Sequence, residues 1–194
     1  MLFDHHGNRK YLTARERLAF LRAADTASDR MVRSFCWVLA CTGGRISEIR
    51  SLTPHSIELD EDIIVIECLK RRQRGIFRPV PVPHDVIRVL EEVHGIASLK
   101  ANPALEGKRL WPWCRTTAWM RVKEVCAQAQ LPAFISKPKA FRHCFGTIGV
   151  SVKGIPLPTM QRWMGHARIE STIEYTQAVG PEERALAERM WRQN

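Results

Sequence analysis

Apolar residues recur along this chain with two periods. Thr13-Ala14-Arg15-Glu16 reads as a capping box opening a helix that carries Leu18, Phe20 and Leu21. A second helix is expected over roughly 29–41, with Met31, Phe35, Val38 and Leu39 as its stripe. Thr42-Gly43-Gly44 breaks it, and a short helix follows over roughly 45–51. Asp62 to Glu67 is rich in β-branched residues and predicts a strand. Ile76 to Val82 is a second extended run. Pro79, Pro81 and Pro83 assign it to a sheet edge, because proline cannot donate to a ladder. The two runs make a hairpin with basic residues at its tip. Further helices are expected at roughly 84–94, 116–130, 139–152, 158–164 and 181–192. The architecture predicted is mainly α with one small antiparallel β-sheet. Its parts are an arm (1–12), one main domain (13–179) and a tail helix (180–194). No internal repeat or low-complexity tract interrupts it.

At 194 residues and 45% hydrophobic, the chain can bury one core. No window approaches the roughly 18 consecutive apolar residues of a membrane span. The start, MLFDHHGNRK, lacks the apolar region of a secretory signal. The six cysteines include no CxxC pair and none stands at zinc-ligand spacing to a histidine, so they read as reduced thiols, mostly in the core.

Charge changes the picture more. Thirty Lys+Arg against 20 Asp+Glu leave +10, and the excess is segregated. Lys70, Arg71, Arg72, Arg74 and Arg78 crowd the hairpin without an acid among them. Between Ser136 and Arg168 no Asp or Glu occurs, while Lys137, Lys139, Arg142, Lys153, Arg162 and Arg168 do. A third basic stretch runs through Lys108, Arg109, Arg115, Arg121 and Lys123. Such runs favour a polyanion, with nucleic acid ahead of a membrane surface.

Three segments bear candidate chemistry. Arg45 and Glu48 stand i,i+3 after a glycine turn, so the carboxylate can aim the guanidinium at a ligand; a surface ion pair fits the same spacing. In Lys139-Ala140-Phe141-Arg142-His143, Phe141, Phe145, Ile148 and Val152 form a core stripe. Lys139 and Arg142 take another face, continued by Gly146 and Gly149. Mid-helix glycine costs about 1 kcal/mol, which suggests close approach of another backbone there. The third segment is Trp163-Met164-Gly165-His166, with Tyr175 nine residues past the histidine. A tyrosine by itself is ordinarily core or interface; its company here is two arginines, a basic hairpin and a histidine.

Taken together, TGGRISE at 42–48, LKRRQRG at 69–75, KAFRH at 139–143 and MGHARIESTIEY at 164–175 resemble the tyrosine recombinases of the phage integrase family. That family carries an arginine in T-G-x-R-x-x-E, a lysine on a β-hairpin, an H-x-x-R-H segment, and L-G-H with a nucleophilic tyrosine nine residues on. The resemblance runs from about Tyr11 to the end. It departs where Lys139 occupies the position of the usual histidine, and where the hairpin is about three residues longer. It also departs at the N-terminus, where the chain starts almost at the catalytic domain, as in short solo members without the core-binding domain.

The resemblance implies catalytic roles for Arg45, Lys70, Lys139, Arg142, His166 and Tyr175, with Glu48 in support. Arg45 and Arg142 would hold the phosphate, and Tyr175 would attack it. Among Lys70, Arg71 and Arg72, Lys70 is taken as the acid for the leaving oxygen, because arginine stays protonated. His166 would bond the phosphate, and Lys139 would act as base or further phosphate contact. Arg71, Arg72, Arg74, Arg78, Lys137, His143 and Arg162 are the expected DNA contacts. No metal or other cofactor is expected. The partners implied are double-stranded DNA, further copies of the chain in a tetrameric synapse (a monomer when free), and an accessory DNA-binding protein in place of the clamp. The setting implied is the cytoplasm, with a bacterial, phage or plasmid origin. Two alternatives share the scaffold: a catalytically silent DNA-binding accessory protein, and a type IB topoisomerase-like relaxing activity.

Overall fold

The helix at the centre is the one whose apolar stripe is widest. α2 (Arg30–Thr42) starts at Asp29, whose carboxylate accepts the Met31 N–H, and it buries Phe35, Val38 and Leu39. α1 (Ala14–Asp25) packs along it, closed by the expected capping box between Thr13 and Glu16. Phe20 and Leu21 face inward, whereas Leu18 faces solvent. The computed structural model describes residues 2–69, 75–105, 107–176 and 181–191.

α2 ends at Gly43 in the left-handed conformation (φ 61°), and α3 (Ile46–Arg50) follows at once. A Cβ on Gly43 would stand 2.5 Å from the Phe145 ring, and one on Gly44 would stand 2.4 Å from Ile49 Cδ1. Both glycines are therefore set by close packing around the turn, and at Gly43 by backbone conformation as well.

β1 (Ile57–Glu58), β2 (Ile63–Glu67) and β3 (Phe77–Pro81) form one antiparallel sheet in that order. Pro79 pairs with Val65 and Pro81 with Ile63, so the proline-bearing strand lies at the edge, as the missing donors require. The pleat turns Phe77, Pro79 and Pro81 outward and sends Arg78 and Val80 inward. α4 (His84–His94) covers α2, and α5 (Ile96–Lys100) follows it after Gly95.

α6 (Arg115–Gln128) packs on α1 and α3. α7 (Pro138–Thr147) packs on α2 and is buried on nearly every side. One wider π-helical turn, Ile148–Val152, continues it. α8 (Leu157–Met164) stops at Gly165, again left-handed (φ 63°), and α9 (Glu170–Ile173) leads into a 3-10 turn over Glu174–Thr176. α10 (Pro181–Trp191) lies against the π turn, with Met190 and Trp191 exposed. The expected boundary at 179/180 falls outside the described residues.

The short elements β1, α5 and α9 were not among those predicted. Five of the six cysteines are buried and Cys114 is exposed. Among the described residues no helix is long and apolar enough to cross a membrane.

Candidate active site

Arg45 owes its position to the turn before it. Its backbone is extended (φ −74°, ψ 146°) at the start of α3. Its N–H donates to Glu48 Oε2 at 2.9 Å, and its Nη1 donates to Oε1 at 2.7 Å. Glu48 is 0% exposed. Burial alone would raise its pKa; Arg78 and Arg45 outweigh that and hold the carboxyl below its ordinary value. The ion pair read from the sequence is therefore a buried clamp that leaves the rest of the Arg45 guanidinium facing a cleft.

Arg142 reaches the same cleft from α7. Nη1 donates to the Gly43 carbonyl (2.8 Å) and Nη2 to the Met164 carbonyl (2.6 Å), so it ties the α2–α3 turn to the end of α8. Burial, then the neighbouring Arg45, brings its pKa down to about 10, still cationic at neutral pH. His166 follows the Gly165 stop, and its Nδ1 lies 2.9 Å from the Thr172 hydroxyl. Burial and the two arginines push it down to about 4, so it is a neutral imidazole.

Tyr175 is 1% exposed. Its ring stacks on His166 (centroids 6.1 Å, 13°) and its carbonyl accepts the Ser151 hydroxyl at 2.8 Å. Its other face rests on α7 where Gly146 offers no side chain; a Cβ there would come within 2.7 Å of the ring. The close approach that explains Gly146 is thus made by a side chain rather than a backbone, and Gly149 likewise faces Met160. Burial lifts the phenol above its ordinary pKa although Arg142 pulls the other way.

These residues share one cleft of about 970 Å³, bordered also by Lys137 and Lys139. A permanently cationic pair, a neutral imidazole and a phenol can bind an anionic tetrahedral group and present a nucleophile to it. One expected DNA contact needs correction. Arg78 is 3% exposed, and its donors go to Glu48, the Trp163 carbonyl and Cys68. It stands at an inward position of the pleat and shows only a sliver of surface, at the small hollow that Arg162 also borders. His143 is 5% exposed and borders the main cleft beside Tyr175, with its Nδ1 3.8 Å from Glu174 Oε1. Arg162 is exposed but borders a separate hollow of about 240 Å³ with Phe77 and Cys68. Lys70, Arg71, Arg72 and Arg74 lie outside the described residues, although Leu69, just before them, borders the main cleft.

Residues 10–180 match the Phage integrase family. The chain belongs to that family. It is 25% identical over 191 residues to the tyrosine recombinase XerD of Pasteurella multocida, covering 93% of this chain and 62% of the relative. It is 30% identical over 143 residues to the putative integrase/recombinase y4rD of Sinorhizobium fredii, covering 69% of this chain and 50% of the relative. The chain thus spans between half and two thirds of the length of these curated relatives. In fold it is similar to the XerA recombinase (TM-score 0.77, 21% identity, 95% of this chain and 66% of that one). It is also similar to the XerH site-specific recombinase bound to difH substrate in a pre-cleavage complex (TM-score 0.71, 18% identity, 98% and 60%). The catalytic domain of bacteriophage HP1 integrase gives a TM-score of 0.58 at 20% identity, covering 91% and 93%.

The integrase-family cleft has borders that sequence reasoning missed. Lys10, Arg115 and Trp119 line it. Trp119 is 41% exposed, with the Lys123 ammonium 4.9 Å from its ring. A signal existed: on α6 the apolar stripe is Ala118, Val122 and Val125, and Trp119 falls off that stripe at i+4 from Arg115.

Proposed function

We propose that the chain is a site-specific DNA recombinase of the tyrosine type, breaking and rejoining double-stranded DNA through a 3′-phosphotyrosyl link at Tyr175. The observation that carries this is the seating of Tyr175 on Gly146, in one cleft with Arg45, Arg142 and His166. The names of the relatives support it.

In this reading Arg45 and Arg142 hold the non-bridging oxygens of the scissile phosphate, and His166, neutral, adds a hydrogen bond. The Tyr175 oxygen forms a bond to phosphorus while the bond to the 5′ oxygen breaks. The phenol must shed its proton during attack; Lys139, on the rim, takes it up as the neutral amine, or as the ammonium serves as a further phosphate contact. Lys70 gives a proton to the leaving oxygen. The phosphotyrosyl bond keeps the free energy of the phosphodiester, and attack by a 5′ hydroxyl reverses the sequence, so rejoining needs no nucleotide cofactor. Lys137 and Arg115 line the cleft for the flanking backbone. Recombination further requires several copies on DNA, and we assign a tetrameric synapse, a cytoplasmic setting and an accessory DNA-binding protein to this same reading.

The test is incubation with a nicked suicide substrate cut from DNA flanking the gene, scored for a covalent adduct. An adduct that leads to strand exchange supports a recombinase. An adduct with supercoil relaxation alone favours the topoisomerase-like alternative. Binding without any adduct favours the silent accessory protein.

A further inference from the structure

Arg78 occupies a place where the pleat calls for an apolar side chain. It alternates with Val80 on the inward side of β3, and an arginine taken out of water there is costly unless its donors are met. Three of its five N–H donors are met, each by a separate segment. Nε donates to the Trp163 carbonyl at the end of α8 (2.8 Å), Nη1 to the Cys68 thiol after β2 (3.1 Å), and Nη2 to Glu48 Oε2 on α3 (2.6 Å). The guanidinium also lies against the backbone of Gly165, where a Cβ would stand 2.9 Å from Nη1.

Glu48 has only two oxygens and divides them. Oε1 takes Arg45 Nη1, while Oε2 takes both the Arg45 N–H and Arg78 Nη2. Arg45 leans on Glu48 alone among the described residues, and Glu48, 0% exposed, is shut off from bulk solvent. What fixes the carboxylate from behind is Arg78, itself pinned at Trp163 and Cys68. The planar fork is needed for this, since an ammonium is a point donor that cannot span three acceptors in one plane.

We propose that Arg78 is a positioning residue for the cleavage reaction: anchored by the Trp163 carbonyl and the Cys68 thiol, it fixes the Glu48 carboxylate and thereby aims Arg45 at the scissile phosphate. This rests on the reading of the cleft as a DNA-cleaving site and adds a member to it that touches neither substrate nor the reacting atoms.

The experiment uses the full chain with Arg78→Lys and Arg78→Met, on suicide substrates carrying either a phosphodiester or an uncharged methylphosphonate at the scissile position. Arg78→Lys keeps the charge and most of the volume, so it decides the matter even where Arg78→Met melts early. On the phosphodiester at saturating DNA, Arg78→Lys slows adduct formation about 10- to 100-fold, the scale of a misaimed transition-state contact. DNA affinity stays within about threefold, because the side chain is buried. On the methylphosphonate there is no anionic oxygen for Arg45 to hold, and the defect shrinks to under about fivefold. A general loosening of the fold would slow both substrates alike, and that result overturns the proposal. So does an Arg78→Lys chain that cleaves the phosphodiester at the unchanged rate. If the unchanged chain forms no adduct, the cleavage reading itself falls and takes this proposal with it.

Discussion

Gly146→Ala adds one methyl group beneath the ring of Tyr175. The new carbon would stand 2.7 Å from Cγ and Cδ2 and 2.8 Å from Cδ1, against an ordinary carbon–carbon contact of about 3.5–4.0 Å. The ring has to retreat by about 1 Å, and a shift of that size at a reacting atom costs on the order of 100-fold in rate, or about 2.7 kcal/mol in the barrier. Stability moves much less. Alanine favours the helix by about 1 kcal/mol, while crowding costs about 1–3 kcal/mol, so the net loss is roughly 0–2 kcal/mol. In a domain of this size that lowers Tm by no more than about 8 °C. Gly149→Ala is the matched control. Its Cβ would come within 2.0 Å of Met160 Cε, but that atom is the free end of a flexible thioether and can swing aside. The assay is the initial rate of covalent adduct on a suicide substrate at saturating DNA, beside a thermal melt. Gly146→Ala should be about 100-fold slow with a near-normal melt, and Gly149→Ala within about threefold of the unchanged chain. A fast Gly146→Ala, or a Gly149→Ala that is the slower of the two, refutes the seating of Tyr175 described here.

Other expectations follow from the same cleft. Lys10, Arg45, Arg115, Lys137 and Lys139 border it, so log K for DNA should fall with log salt at a slope of at least about −4; a slope shallower than about −2 contradicts the assignment. Burial pushes His94, His143 and His166 down to about 4, below the value near 6.5 of an unfolded chain, so on acidification the unfolded state takes up protons first. Stability is therefore complete above about pH 6.5 and is lost progressively towards pH 4; a melt no lower at pH 5 than at pH 7.5 refutes this. Cleavage should persist in excess EDTA, with Arg45 and Arg142 supplying the charge, and a loss that Mg²⁺ restores at the chemical step counts against the mechanism.

Most long elements were legible because their apolar periods are strong: the stripe of α2, the capping box of α1 and the β-branched run of β2 all carry their own signal. β1, α5 and α9 are two to five residues long, too short for a period to show. The four motif segments named the cleft by residue type and spacing. Which motif residues turn inward was harder to read, because it is set by tertiary packing. α7 is buried on nearly all sides, so His143 borders the cleft with only 5% of its surface exposed. For Arg78 the parity with Val80 held the answer, but positive charge on a basic hairpin pointed outward. The partner of Gly146 comes from a segment 29 residues further along the chain and could not be read from α7 itself.

The central claim is that the Tyr175 oxygen becomes covalently joined to DNA. The direct measurement is peptide mass mapping of the adduct trapped on a suicide substrate, run beside Tyr175→Phe. The account predicts a nucleotide-bearing peptide that spans Tyr175, and a variant that binds the same DNA yet yields no adduct. An adduct that survives in Tyr175→Phe, or that maps to another residue, contradicts it.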